Sequence, residues 1–256
     1  MAEPYLSVVI PAYNESLRLP KSLEIIRRHY QGKPFTVELI VVDDGSTDNM
    51  PCFLQGAAAA WPEMKVLRNN PNRGKGFSVR RGMLDARGQY VLFTDADLSA
   101  PIEEADELLR LLETTGADAA VGSRAIDRAK IGVHQSRLRE LSGIAFNLLV
   151  RLFTGLKIRD TQCGLKLFRR ATTRRALELQ RATGFGFDPE LLFLIGRAGG
   201  VIIEKPVVWN HDPFTKVKLF RDSARMFWEL LALRWHLLAG HYSLAQGTEI
   251  RRSEQT

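Results

Sequence analysis

Asp95 and Asp97 are separated by Ala96 and follow the apolar run Tyr90–Thr94. In extended chain, alternate side chains point the same way, so both carboxylates can reach one cation. Hard oxygen ligands suit Mg²⁺ or Mn²⁺, ions that keep waters and bind substrate phosphates. Such an ion would neutralise charge on a departing diphosphate. An Asp-x-Asp pair is common by chance; a buried strand in front of it makes it more specific. Two other apolar runs end in polar residues. One ends in Pro11-Ala12-Tyr13-Asn14-Glu15, the other in Asp43-Asp44-Gly45-Ser46-Thr47-Asp48. In open α/β sheets, ligands bind outside the carboxyl ends of the strands. Taken alone, the second cluster suits a turn capping the next helix equally well. Three polar strand ends on one edge favour a shared site.

Asn72-Arg73-Gly74-Lys75-Gly76 opens a helix after the third apolar run. It is not a dinucleotide loop of the Rossmann kind: Val79 stands where the third glycine belongs, and the loop follows the third strand rather than the first. Glycines and Lys75 at a helix N-terminus can touch an anion, and a plain loop with an N-cap explains the segment as well.

The elements expected to hold these residues alternate between strand and helix. Residues 6–11, 37–42, 64–67, 90–94 and 119–122 read as strands, and 19–29, 76–85 and 102–113 as helices. Continuous apolar strands alternating with helices predict an α/β fold, a mostly parallel sheet flanked by helices. Residues 137–153 read as an apolar helix, 160–169 and 184–188 as structured loops, 201–209 as a late strand, and 217–238 as a long helix. The expected organisation is one domain over 1–215, an amphipathic C-terminal helical extension over 216–246 and a tail over 247–256.

Composition bounds the rest. With 45% hydrophobic and 25% charged residues the chain is globular, not disordered. Its two cysteines, Cys52 and Cys163, lack metal-ligand spacing, which argues against a disulfide framework or structural zinc and for a reducing compartment. A formal net charge of +7 favours a polyanionic partner. Basic residues are dispersed and no RNA-binding signature is present, so no nucleic-acid partner is expected. Neither a signal peptide nor a run of about 18 apolar residues is seen. In the late helix, Leu219, Phe220, Met226, Phe227, Leu230 and Leu231 share one face, opposite Lys218, Arg221, Asp222, Arg225 and Glu229. Trp228 and Trp235 with flanking basic residues suit a membrane interface; packing on the domain's own core is the commoner use of this pattern, and the two are compatible.

Together, residues 11–15 (PAYNE), 41–48 (VVDDGSTD), 72–76 (NRGKG) and 93–99 (FTDADLS) resemble the inverting family-2 glycosyltransferases of GT-A fold. Residues 158–168 (IRDTQCGLKLF) and 185–192 (FGFDPELL) narrow the resemblance to the dolichyl-phosphate β-glucosyltransferase branch and its bacterial polyprenyl-phosphate relatives. The resemblance implies that Pro11, Ala12, Tyr13 and Glu15 contact the nucleotide, that Asp44 recognises the base with Asp43 beside it, and that Lys75, Asp95 and Ala96 border the nucleotide sugar. It implies that Asp95 and Asp97 hold the metal. Ser99 stands where related mannose synthases carry a glutamine near the metal, which leaves a third protein ligand open. Arg124, Arg137, Arg139 and Ser142 fall in the region that would meet an acceptor phosphate; a solvated helix face explains Arg137 and Arg139 equally well. Asp160 sits where the family has an acidic group near the reaction centre. It is expected to orient the acceptor or engage a nearby Arg or Lys, with a base role open. Lys166 would serve the phosphates or form a structural salt bridge. Asp188 and Glu190 would bind sugar hydroxyls or support their loop.

The expected activity is transfer of a hexose from a nucleotide sugar, UDP-glucose favoured, to a dolichyl or polyprenyl phosphate. The enzyme is expected in the cytoplasm, peripheral on the cytoplasmic face of a membrane. Alternatives are GDP-mannose as donor, a saccharide acceptor, or a non-catalytic nucleotide- or nucleic-acid-binding module; donor screening by product mass separates the first two from glucosyl transfer.

Overall fold

The computed structural model describes residues 3–133, 136–211 and 219–243. β1 (Leu6–Ala12) and β2 (Val37–Asp43) are runs of buried aliphatic residues, flanked by α1 (Leu19–Tyr30) and α2 (Met50–Ala60). β3 (Met64–Arg68), α3 (Lys75–Asp85), β4 (Tyr90–Thr94), α4 (Glu104–Thr115) and β5 (Ala119–Ser123) continue the alternation. Val8 and Ile10 face a core layer with Leu23, Ile26 and Leu108. Val9 between them faces the opposite layer with Val79, Met83 and Phe187. Helices cover both faces, so every residue of β1 must be apolar or otherwise satisfied, and no polar alternation is seen.

Beyond β5 come β6 (Ile131–Val133), α5 (Arg137–Thr154), β7 (Leu165–Arg169), α6 (Arg170–Leu179), α7 (Phe187–Arg197), β8 (Ile202–Pro206), β9 (Trp209–Asn210) and α8 (Leu219–Leu238). The main sheet has seven strands in the order β3-β2-β1-β4-β7-β5-β8. Its pairs are parallel except those of β7, which runs antiparallel to both β4 and β5. The register sets Ala12 beside Asp43, so the polar ends of β1 and β2 emerge at the same edge.

Residues 160–169, expected to be a loop, supply β7, a strand inside the sheet. Lys166 disguised it: a charged residue in LKLFR argues against burial, yet Lys166 is 1% exposed and its ammonium is satisfied by Asp188 at 2.6 Å and by the Cys163 carbonyl. Segment 184–188 is only partly loop, because Phe187 and Asp188 open α7. The late strand expected over 201–209 divides, β8 joining the main sheet and β9 pairing with β6. α8 packs Met226 and Leu230 against Phe146 and Val150 of α5, and Leu233 against the layer that contains Phe187. Its inner face is therefore core, while Trp228 and Trp235 remain exposed. Val217, Lys218 and the 247–256 tail lie outside the described residues, as do the side chains of Leu219 and Phe220.

Candidate active site

A cavity of about 540 Å³ opens at the carboxyl edge of the sheet. Pro11, Ala12, Tyr13, Glu15, Asp44, Lys75, Asp95, Ala96, Asp97, Ser99, Arg124 and Ser142 all line it. Of the other expected site residues, Asp43, Asp160 and Lys166 stand behind the wall. Arg137 and Arg139 begin α5, and their side chains lie outside the described residues.

Two turns build one end. Asn14 adopts φ 54, and its Oδ1 accepts from the Thr47 amide at 2.8 Å while its own amide donates to Ser46 Oγ at 2.8 Å. These bonds staple the end of β1 to the turn after β2. The 72–76 loop does hold an anion through its amides, and that anion is the carboxylate of Asp44. Asp44 Oδ1 accepts from Asn69 Nδ2 at 2.8 Å and from the Arg73 amide at 2.9 Å, and Oδ2 accepts from the Gly74 amide at 2.8 Å. Gly74 makes this possible: its φ is +99, and a Cβ there would stand 2.4 Å from the Thr183 carbonyl oxygen. Asp43, 1% exposed, accepts from the Ser46 amide at 2.8 Å and faces Arg68 Nε at 3.4 Å, so it shapes the turn.

The Asp95-Ala96-Asp97 turn is fixed from three sides. The Asp95 amide donates to the Gly164 carbonyl at 3.1 Å, Ser22 Oγ of α1 donates to the Ala96 carbonyl at 2.7 Å, and the Ser99 amide donates to Asp97 Oδ1 at 3.0 Å. A Cβ at Gly164 would lie 2.1 Å from Asp95 Oδ2, which explains a glycine in TQCG. Lys75 Nζ contacts Asp95 Oδ1 at 2.7 Å and lies over the Phe93 and Phe185 rings at 5.3 and 5.7 Å. Burial lowers the Lys75 pKa, but the charges of Asp95, Asp188 and Asp97 outweigh it and hold the ammonium above its ordinary range. Burial and the charge of Asp95 push the Asp97 carboxyl up, against the bonds from Ser99. Two carboxylates that repel one another are a site a cation stabilises. Their hard oxygens fit Mg²⁺ or Mn²⁺. Among the described residues no group of three or more His, Cys, Asp or Glu side chains is placed to hold a metal, so substrate oxygens and waters would complete the shell.

At the other end Arg124 projects from the end of β5, with its guanidinium 5.3 Å from the Trp209 ring centroid. Asp160 grips it: Arg124 Nε to Oδ2 is 2.7 Å, Nη2 to Oδ1 is 2.8 Å, and the Arg124 amide reaches Oδ2 at 3.0 Å. Burial raises the Asp160 pKa, and the Arg124 guanidinium more than offsets this, leaving the carboxyl below the usual range. A buried carboxylate so occupied orients Arg124 and is a poor proton acceptor. Lys166 forms the buried pair with Asp188 and does not reach the cavity wall; Asp188 does. Glu190 accepts from the Arg181 and Ala182 amides and so supports its loop.

Several lining residues were not foreseen. Arg18 binds Glu15 through two 2.7 Å contacts and comes within 4.0 Å of Asp97 Oδ2. Gln162, Trp209 and His211 line the cavity, Trp209 with its ring against Arg124, and Arg221, Asp222, Arg225 and Met226 enter from α8. Glu15 three residues before Arg18 was a usable signal. The others meet the cavity only through tertiary packing.

The chain is similar to known proteins in sequence and in fold. The sequence model described as glycosyl transferase family 2 matches residues 7–176. A dolichyl-phosphate beta-glucosyltransferase of Trichomonas vaginalis is 35% identical over 224 residues, covering 84% of this chain and 68% of its own. The dolichyl-phosphate beta-glucosyltransferase of Saccharomyces cerevisiae is 33% identical over 260 residues, covering 94% and 77%. In structure, the chain is similar to glucosyl-3-phosphoglycerate synthase from Mycobacterium tuberculosis, solved with Mn²⁺ and UDP-glucose. The TM-score is 0.65 at 22% identity, over 91% of this chain and 79% of that one, a likeness that shows the GT-A fold.

Proposed function

Because the chain belongs to glycosyl transferase family 2, we propose that it transfers glucose from UDP-glucose to the phosphate of a dolichyl or other polyprenyl phosphate, with inversion. The observation that carries this reading is the polarity of this cavity. One end gathers Asp95, Asp97 and Lys75 beside the β1 and β2 turns; the other holds Arg124, and Arg221 and Arg225 line the wall from α8. A nucleotide diphosphate fits the first end and a second anion the other. The named relatives act on dolichyl phosphate.

In this mechanism the β1 and β2 turns seat the nucleotide, and Lys75 lies where its ammonium can face the diphosphate. A divalent cation held by Asp95 and Asp97 would supply further charge neutralisation of the leaving group. The acceptor phosphate, with a second pKa of about 6, is already anionic at neutral pH. An oxygen of that phosphate attacks the anomeric carbon from the face opposite the diphosphate, and the carbon–oxygen bond to the diphosphate breaks with its electron pair leaving on UDP. No proton has to be removed from the nucleophile, which agrees with an Asp160 occupied by Arg124. Arg124 spends Nε and Nη2 on Asp160, so Nη1 would meet the acceptor. The test is a matrix of nucleotide sugars against dolichyl phosphate, with and without chelator. Consumption of UDP-glucose should require both the lipid phosphate and free divalent ion; consumption indifferent to the lipid would overturn the acceptor assignment.

The same reading places the protein on the cytoplasmic face of a membrane, in keeping with its free cysteines. Among the described residues no helix is long and apolar enough to cross a membrane. Instead α5 carries Leu141, Ile144, Leu148 and Leu152 along one face, each more than half exposed, and α8 adds exposed Trp228, Trp235 and Leu238. Ser142 and Phe146 of α5 line the cavity, so the apolar ridge adjoins the acceptor end. An apolar ridge with neighbouring tryptophan and arginine suits a bilayer surface. Replacing Ile144 and Leu148 with Glu should weaken co-sedimentation with anionic phospholipid vesicles about tenfold or more while leaving UDP binding intact. Unchanged vesicle binding would refute this surface.

A further inference from the structure

Segment 181–186 is gripped between two carboxylates. From α7, Glu190 accepts from the Arg181 amide at 3.0 Å and from the Ala182 amide at 2.7 Å. From α8, Glu229 accepts from the Gly184 amide at 3.1 Å and from the Gly186 amide at 2.7 Å. Both glycines are required for this approach. A Cβ at Gly184 would lie 2.3 Å from Glu229 Oε1, and one at Gly186 would lie 2.7 Å from Oε2. Arg225, a residue of the cavity wall, holds Glu229 in turn at 3.4 Å.

The gripped segment leads directly to the diphosphate end of the cavity. Its Thr183 and Gly184 carbonyls accept from the Phe77 and Gly76 amides in the first turn of α3, at 3.2 Å each. That turn begins with Lys75, whose ammonium contacts Asp95, and Phe185 lies 5.7 Å from the same ammonium. Hydrogen bonds and short stretches of backbone thus connect Glu229, outside the segment matched by the family model, to the residue that meets Asp95.

We propose that Glu229 is a positioning residue for the nucleotide-sugar end of the cavity: by fixing segment 182–186 against the start of α3, it sets Lys75 and Phe185 and makes the seating of α8 a condition of donor binding. This rests on the nucleotide-sugar reading above and names a residue that reading does not use. Glu229→Gln keeps the side chain's size but loses one of two charge-assisted acceptors.

The test is calorimetric UDP binding in the presence of Mn²⁺, with hydrogen exchange at residues 182–186 and donor kinetics. Glu229→Gln and Glu229→Ala should weaken UDP binding about tenfold, speed exchange in the segment, and raise the donor KM more than they lower kcat. Gly184→Ala should do the same by displacing Glu229, and adding it to Glu229→Ala should cost little more, because a Cβ there meets the Glu229 carboxylate, which is already gone. The glycine variant carries the test if the Glu229 variants fail to fold. A lowered melting temperature with UDP affinity within about twofold of wild type would overturn the proposal, as would fully additive losses. Wild-type protein that takes up no UDP would overturn the nucleotide-sugar reading itself.

Discussion

Asp97→Ala should lower kcat/KM about 10³-fold, the effect of several kcal/mol of lost charge stabilisation at the leaving group. Asp97 lies at the cavity wall with its side chain 22% exposed. It accepts from Ser99, comes within 4.0 Å of Arg18 and is not a core residue, so the folded state should be almost as stable as wild type. The loss should therefore come without a matching fall in melting temperature. Asp97→Ala should also bind Mn²⁺ more weakly, a readout independent of turnover. Asp95→Ala should show a similar loss, compounded by release of Lys75 from its 2.7 Å contact. Full activity in Asp97→Ala would mean that the Asp95–Asp97 pair does not serve the diphosphate.

The second large effect is expected at Asp160. Asp160→Asn removes the charge that fixes Arg124 and should lower kcat/KM for the acceptor about 10²-fold, chiefly through its KM. If Asp160 were instead a general base, kcat would collapse and the acid limb of the pH–rate profile would vanish. Stability should fall too, by about 3 kcal/mol at most, because the Arg124 guanidinium, which retains some access to water, loses its buried carboxylate partner. The folded-state pKa of Asp160 is depressed, so its stabilisation is present above the unfolded value of about 3.9 and is lost as pH falls through the lower folded value. The stability gap between wild type and Asp160→Asn should hold from neutral pH down to about 4 and close below it. A gap that instead widened on acidification would contradict the ion-pair account.

What could be read from the chain alone follows from how local each signal is. Asp95, Asp97, Asp44 and the 11–15 segment sit at strand ends, where apolar runs stop and polar residues begin, so their common edge followed from strand order. Asp44 shows the limit of such reading. Its position was legible, but its carboxylate is held by the Asn69 side chain and the Arg73 and Gly74 amides, a loop two elements later. β7 was not legible because the charge of Lys166 hid a strand whose ammonium is satisfied by Asp188, more than twenty residues on. Trp209 and Arg225 gave no distinct pattern as site residues, because a two-strand ribbon and helix packing bring them to the cavity. α8 is core on one side and exposed on the other, though not by the faces expected, since Asp222 is buried and Phe227 exposed. Leu230 and Leu233 are core, whereas Trp228 and Trp235 face outward.

The central claim is that a lipid phosphate attacks the glucose of UDP-glucose directly at the cavity holding Asp97 and Arg124. The measurement that tests it most directly is the mass and anomeric configuration of the product formed from UDP-glucose and dolichyl phosphate by the purified protein. The account predicts a single glucosyl phosphoryl dolichol of β configuration, formed with release of UDP and absent with Asp97→Ala. An α-linked product, or UDP release that leaves free glucose with no lipid-linked sugar, would contradict it.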